Sequence, residues 1–389
     1  MAATMTLEVR FDASGALLST TERRAATALV RRYASRRGVF IPDARPRAVT
    51  LRTLGGGRSA AQVYSVRAQH GGAQSIPARP VVLKILPRSE GLRERANYLR
   101  HVRTTLPPAS RPELLGFGLT RTHAAIWYSF IGNPDGSRAR TLTEQLQRGA
   151  IGTLHTVVDR FLELARQTWY SPAVQGHGRD LSRCYLERYF SRARSVARGE
   201  AVLRACAARY FRAQYTRGRY VVRDHAFPSP RALLFGSRPG RPYLSCVLHG
   251  DLNSDNLLLG SDGRDLTLID FQKAGRGHVY EDLVALEASV RINHPRDAGF
   301  TEILEIERRI ALGLRPHRGD AYSRAILAVR EAALHTFGQR EMDATYHYAV
   351  AAIGLRLMHA GDLTHAARAR IVASTLWSSK VLADAAARR

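Results

Sequence analysis

Short apolar runs separated by turn residues dominate the early chain. Val49–Leu54, Ala61–Ala68 and Pro80–Leu86 each read as a β-strand, the first two parted by Gly55-Gly56-Gly57 and the last two by a Gly/Gln/Pro loop. Leu7, Val9 and Phe11 alternate with polar residues and predict one more short strand over residues 6–12. Ser19, Thr20 and Thr21 precede a helix to about Arg37, with Ala25, Ala26, Leu29 and Val30 on its apolar face, and Pro42 to Pro46 reads as a linker. A charged helix is expected over Ser89–Arg103, then strands over Leu114–Gly118 and Ala124–Phe130. Beyond that the period changes. Residues 152–170, 181–213 and 282–385 carry apolar side chains at three- and four-residue spacing and predict helices, interrupted by a strand hairpin near 247–270. The pattern as a whole is α+β, with a small sheet-rich N-terminal part and a large helical C-terminal part.

The hairpin carries the chemistry. His249-Gly250-Asp251-Leu252-Asn253-Ser254-Asp255-Asn256 is followed by Leu257–Leu259, a turn containing Asp262-Gly263, and Leu266-Thr267-Leu268-Ile269-Asp270-Phe271. Two apolar runs around Asp-Gly are a hairpin signal. Pairing Leu257–Leu259 with Thr267–Ile269 sets Asn256 opposite Asp270, roughly 5 Å apart at the Cα atoms. An amide oxygen and a carboxylate meeting there are hard donors of the kind magnesium takes, with phosphate and water completing its shell. Asp251, five residues before Asn256, is placed to accept a proton from an attacking hydroxyl. One base and two metal ligands make a phosphoryl-transfer set.

His-Gly-Asp-Leu-x-x-x-Asn from His249 to Asn256, an apolar strand and Ile269-Asp270-Phe271 together resemble the catalytic core of the aminoglycoside/choline phosphotransferase family, which shares the protein-kinase fold. The resemblance implies a bilobal kinase-like architecture with a small antiparallel β N-lobe and a large helical C-lobe. It makes Asp251 the catalytic base, Asn256 and Asp270 the magnesium ligands, and Asp282 the brace of the catalytic loop. Two positions depart from the pattern: Asn253 stands where many relatives have histidine or lysine, and Gln272 where glycine follows Asp-Phe.

The same resemblance organises the nucleotide half. Lys84 is the one charge in Val81-Val82-Leu83-Lys84-Ile85 and is similar to the strand lysine that holds the α- and β-phosphates. Only Lys84, Lys273 and Lys380 are lysine, so 56 of the 59 basic residues are arginine, and a lysine here stands out. Glu94 is the expected helix partner of Lys84, with Glu90 as the alternative. Gly55, Gly56 and Gly57 are placed to cover phosphates with backbone amides; no Gly-Lys-Ser/Thr follows, which excludes a Walker loop. Val82 and Leu258 are implied to sandwich adenine, and Tyr128–Ile131 to form the hinge. The implied organisation is a strand-helix extension and linker over 1–47, a nucleotide-binding N-lobe over 48–131, and a helical C-lobe over 132–389 with the catalytic hairpin at 247–271.

Charge and composition refine the partners. A net charge of +26 attracts polyanions, but the arginines are spread through the chain without a dense tail, so nucleic acid is a weaker reading than compositional bias. With 33 acidic residues against 59 basic ones, an anionic acceptor fits better than a cationic antibiotic. No run of 18 apolar residues predicts a membrane span, and no signal-peptide pattern opens the chain. Cys184, Cys206 and Cys246 have no metal-ligand spacing and read as reduced thiols, which favours the cytoplasm. The expected function is therefore ATP- and magnesium-dependent transfer of the γ-phosphate to a hydroxyl of a small molecule. The alternatives are a protein (Ser/Thr) or signalling kinase, and a nucleotide-binding pseudokinase module of a multi-component bacterial conflict system, to whose kinase-like proteins the chain also bears a resemblance.

Overall fold

The structure, a computed structural model, describes residues 7–12, 20–34, 48–54, 61–69, 80–132, 139–171, 175–190, 193–236, 241–260, 265–295, 297–337 and 342–387. The chain packs as two compact units, one of residues 1–140 and 258–274, the other of residues 141–257 and 275–389. The first is sheet-rich and the second mainly helical, so the architecture is α+β.

The sheet-rich unit is built on six strands in the order β1-β2-β3-β4-β6-β5. They are β1 (Glu8–Phe11), β2 (Ala48–Thr53), β3 (Gln62–Gln69), β4 (Val81–Pro87), β5 (Leu114–Leu119) and β6 (His123–Ser129). Only β1 pairs in parallel, with β2, because helix α1 (Thr20–Ala34) supplies the crossover that a parallel pair needs. Ala26, Leu29 and Val30 of α1 pack with Val49, Leu51, Tyr64, Val66, Leu83 and Trp127 in one core. Helix α2 (Arg88–Asn97) follows β4 directly and continues as a π-helical turn, Tyr98–Val102. Gly91 lets α2 approach β6, since a Cβ there would stand 2.2 Å from that of Ala124. The unit is completed by residues 258–274, which hold all but the first residue of the later hairpin of Leu257–Leu259 and Leu266–Leu268. Its second strand comes one residue earlier than the expected Thr267–Ile269, because Asp270 leaves the strand with a left-handed backbone, φ 65°.

In the helical unit α3 (Leu142–Gln147), α4 (Ile151–Gln167), α5 (Leu181–Tyr189), α6 (Ala193–Phe211) and α7 (Pro230–Phe235) are followed by α8 (Glu281–Asn293), α9 (Phe300–Ala311), α10 (Ala321–Phe337), α11 (Met342–Leu357) and α12 (His365–Ala387). Helix α8 is buried on nearly all sides, against α10, α11 and α12. The helical pattern over 181–213 is realised as two helices, since Phe190 takes extended angles at the end of α5. A three-stranded meander, Gln214–Thr216, Arg219–Val222 and His225–Pro228, was not anticipated from the periodicity. A second small sheet sets Tyr243–Leu248 between Gly176–Gly178 and Gly275–His278. Among the described residues no helix is long and apolar enough to cross a membrane.

Candidate active site

Lysine 84 enters the site because β4 alternates. Leu83 and Ile85 point into the core, leaving Val82 and Lys84 on the opposite face. Its ammonium lies 2.8 Å from Glu94 Oε2 and 2.9 Å from Asp270 Oδ1, and is itself buried. Glu94 is wholly buried and accepts a hydrogen bond from the Tyr128 hydroxyl at 3.0 Å. Burial works against the Lys84 charge, but Glu94 and then Asp270 outweigh it and hold the ammonium above its ordinary range. Burial also pushes Glu94 up; Lys84 pulls it down and Asp270 adds to the push, and the net direction is up. One ammonium thus bridges two carboxylates, Glu94 and Asp270.

Asp270 reaches this cluster through its backbone. An aspartate with positive φ costs about 1 kcal/mol, and such strain collects where a side chain must be aimed. Phe271 beside it is buried, with its ring edge-on to Tyr98 at 5.8 Å.

The helical unit holds the loop of Asp251. Strand Tyr243–Leu248 runs into His249 and Gly250, whose backbone N–H groups each donate to the Asp282 carboxylate at 2.8 Å. The Tyr170 hydroxyl donates to the same carboxylate at 3.0 Å. Asp282 is fully buried, which raises its carboxyl, while His249 and these donors oppose the rise. Gly250 needs its glycine, with φ 77°. Past Asp251 the chain turns through Ser254–Asn256, where Asn253 caps the turn by accepting from the Asp255 N–H. The Asn256 amide NH2 donates to the Asp251 carbonyl at 2.8 Å, which turns its Oδ1 to the other side as an acceptor. Buried Ser254 fixes the turn from behind, bonded to Thr143 at 2.6 Å and Asn293 at 3.0 Å.

Of the residues singled out in the sequence, Lys84, Glu94 and Asp270 meet in the sheet-rich unit, and Asp251 and Asn256 share one loop of the helical unit. Val82 is half-buried on the Lys84 face, and Leu258 is half-buried between buried Leu257 and Leu259. Gly55, Gly56 and Gly57 lie outside the described residues. Glu90, the alternative to Glu94, is bonded instead to Gln272. Asn253, at the position of a charged residue in the resemblance, is engaged as a cap. Tyr128, expected only as the start of the hinge, and Tyr170, which no motif flagged, both contribute through their hydroxyls. Among the described residues no three His, Cys, Asp or Glu side chains gather into a metal cluster. Asn256 Oδ1 and the Asp270 carboxylate are nonetheless oxygen donors of the hard kind that magnesium accepts.

Comparison with known proteins places this site in context. Similar solved structures include amicoumacin kinase in complex with AMP-PNP, Ca2+ and Ami, at 11% identity over 94% of this chain and 96% of that one, TM-score 0.41. Another is a thermostable mutant of an aminoglycoside phosphotransferase in its apo form, at 17% identity over 81% and 95%, TM-score 0.38. A third is an aminoglycoside phosphotransferase from Streptomyces rimosus, at 18% identity over 71% and 90%, TM-score 0.32. No curated protein matches the chain by sequence. The family model for ternary complex associated domain 9 matches residues 47–202 and 192–340, a span that takes in Lys84, Glu94, Asp251, Asn256 and Asp270. The chain belongs to the ternary complex associated domain 9 family.

Proposed function

We propose that the protein is a phosphotransferase that uses ATP and magnesium and passes the γ-phosphate to a hydroxyl of a small-molecule acceptor. The observation that carries this reading is the buried Lys84 ammonium held 2.8 Å from Glu94 and 2.9 Å from Asp270. A lysine so placed is a fixed point charge for a di- or triphosphate. Asn256 and Asp270 would hold magnesium, which when bound neutralises charge on the transferring phosphoryl group. Asp251 orients the acceptor hydroxyl and takes its proton as the new O–P bond forms and the bond to ADP breaks. Its loop is held for this by Asp282 and Tyr170. Val82 and Leu258 offer apolar faces for a base, and Gly55, Gly56 and Gly57 offer backbone donors for phosphate. The net charge of +26 favours an anionic acceptor, and we place the protein in the cytoplasm.

The test is a thermal shift of the full chain with ATP, with and without magnesium, beside Asp270→Asn. Stabilisation that requires magnesium and weakens in the variant supports the reading. No response to ATP or GTP under any condition overturns it.

The family description, ternary complex associated, favours a second reading in which the nucleotide site serves a multi-component assembly instead of catalysis. ATP binding that ignores magnesium, with no release of ADP, is its mark.

A further inference from the structure

We infer that Gln272 is a positioning residue: it latches helix α2 to the strand end that carries Asp270, so that the Lys84–Glu94–Asp270 cluster stands assembled before a ligand arrives. The role in nucleotide binding rests on the phosphotransferase reading; the latch itself does not.

Helix α2 packs on β6 through Gly91, and the rest of its inner face is held by polar contacts. Among its ten residues only Gly91 and Glu94 are buried, and its one large apolar side chain, Leu92, is 40% exposed. An amphipathic helix is normally fixed by an apolar stripe, and α2 has none. It has a polar stripe instead. Glu90, Glu94, Asn97 and Tyr98 stand at the i, i+4, i+7 and i+8 positions of one face, with the helix running on through Tyr98. Each meets the Asp270–Gln272 segment or its partner. Gln272 Nε2 donates to Glu90 Oε2 at 2.7 Å, and Asn97 Nδ2 donates to the Gln272 carbonyl at 2.8 Å. Between these two bonds, Glu94 is joined to Asp270 through Lys84. Tyr98 takes the ring of Phe271 edge-on.

One residue therefore closes both ends of the face that presents Glu94. A glycine at position 272, as the sequence resemblance would have it, keeps the carbonyl for Asn97 but has nothing to offer Glu90. The N-terminal half of the latch exists because the residue is glutamine. Glu94 is a wholly buried carboxylate, and any drift of α2 would strand it without its cation.

The polarity of the Gln272–Glu90 bond makes it testable by exchange of partners. Gln272→Glu sets two carboxylates against each other; adding Glu90→Gln restores an amide–carboxylate pair with donor and acceptor reversed. Hydrogen exchange of the Arg88–Asn97 segment is measured in the ligand-free full chain, and the dissociation constant for Mg·ATP by titration. Gln272→Glu is expected to speed exchange in α2 on the order of tenfold and to weaken Mg·ATP several-fold, with the double variant recovering both. Unchanged exchange in Gln272→Glu, or no recovery in the double variant, overturns the latch. Faster exchange with unaltered Mg·ATP affinity overturns the positioning role. If either glutamate variant fails to unfold cooperatively, Gln272→Gly is read instead, and unchanged exchange there is equally fatal. A wild-type chain that binds no Mg·ATP defeats the phosphotransferase reading, while the exchange arm still decides the latch.

Discussion

Two buried ionic clusters, one in each unit, use the same side-chain chemistry to opposite ends. In the helical unit Glu287 accepts from Arg291 at 2.6 Å, from Arg330 at 2.8 and 3.0 Å, and from the Tyr346 hydroxyl. Glu307 accepts from Arg291 at 2.9 and 3.1 Å and from the Tyr322 hydroxyl at 2.5 Å. Two guanidinium groups face two carboxylates, every partner is buried, and the charge is balanced. Burial alone would raise the Glu287 carboxyl, but Arg330 and Arg291 overcome it and hold it to about 2. In the sheet-rich unit one ammonium faces two carboxylates, and Asp270 keeps 30% of its side chain exposed. A sealed network is scaffolding; one with a partly exposed carboxylate keeps that group within reach of solvent. The contrast separates the two roles better than burial or charge content does, because both clusters contain fully buried glutamates.

The largest expected effect breaks the balanced side. Glu287→Gln leaves two buried arginines short of one negative charge and should cost about 3–5 kcal/mol in denaturant unfolding. Next, Tyr128→Phe removes the hydroxyl that Glu94 accepts and should cost roughly 1.5–3 kcal/mol in the same measurement, since a buried charged acceptor loses its donor. Acid sharpens the comparison. Burial holds His278 and His347 down to about 3, against 6.5 for an ordinary histidine. The unfolded chain therefore takes up these protons first. Their contribution is fully present above pH 6.5 and is lost as pH falls toward about 3, on the order of 1 kcal/mol per pH unit for each ring. Glu94, raised in the folded state, has the opposite sign: its contribution is present below the ordinary carboxylate value and fades as pH rises through its own. Stability measured from pH 6.5 to 5 should decline less steeply in His347→Gln than in the wild type. The smallest effect is Asp270→Asn. It gives up the pair with Lys84 but also a like charge beside Glu94, so stability should stay within about 1 kcal/mol of wild type. A loss as large as that of Glu287→Gln would erase the distinction between the clusters.

The sequence shows much of the site and little of what holds it in place. Lys84 is conspicuous because it is one charge in an apolar strand of a chain that otherwise uses arginine, and Asp251, Asn256 and Asp270 sit in a motif of fixed spacing. The strands and helices of the sheet-rich unit fall close to their expected places, because Gly and Pro mark their ends. The meander at Gln214–Pro228 is hidden for a physical reason. Its second turn places Arg223 in left-handed backbone, φ 51°, with no glycine or asparagine at that position; only the first turn, Arg217-Gly218, carries a glycine. Glu287 and Arg291 are likewise disguised: four apart on a helix, they read as a solvated surface pair and are instead fully buried. The latch of Gln272 is legible only as a departure from a glycine, with no sign of its partner, since Glu90 lies 182 positions away.

The threading of the chain has a consequence for its inheritance. Residues 258–274 belong to the sheet-rich unit but are encoded in the middle of the helical one. A gene cut between residues 140 and 141 would yield a sheet without Asp270 and a helical body burdened with a hairpin foreign to it. Neither unit can be traded, duplicated or discarded by a single cut in the gene, because each is written in two separated stretches of the chain.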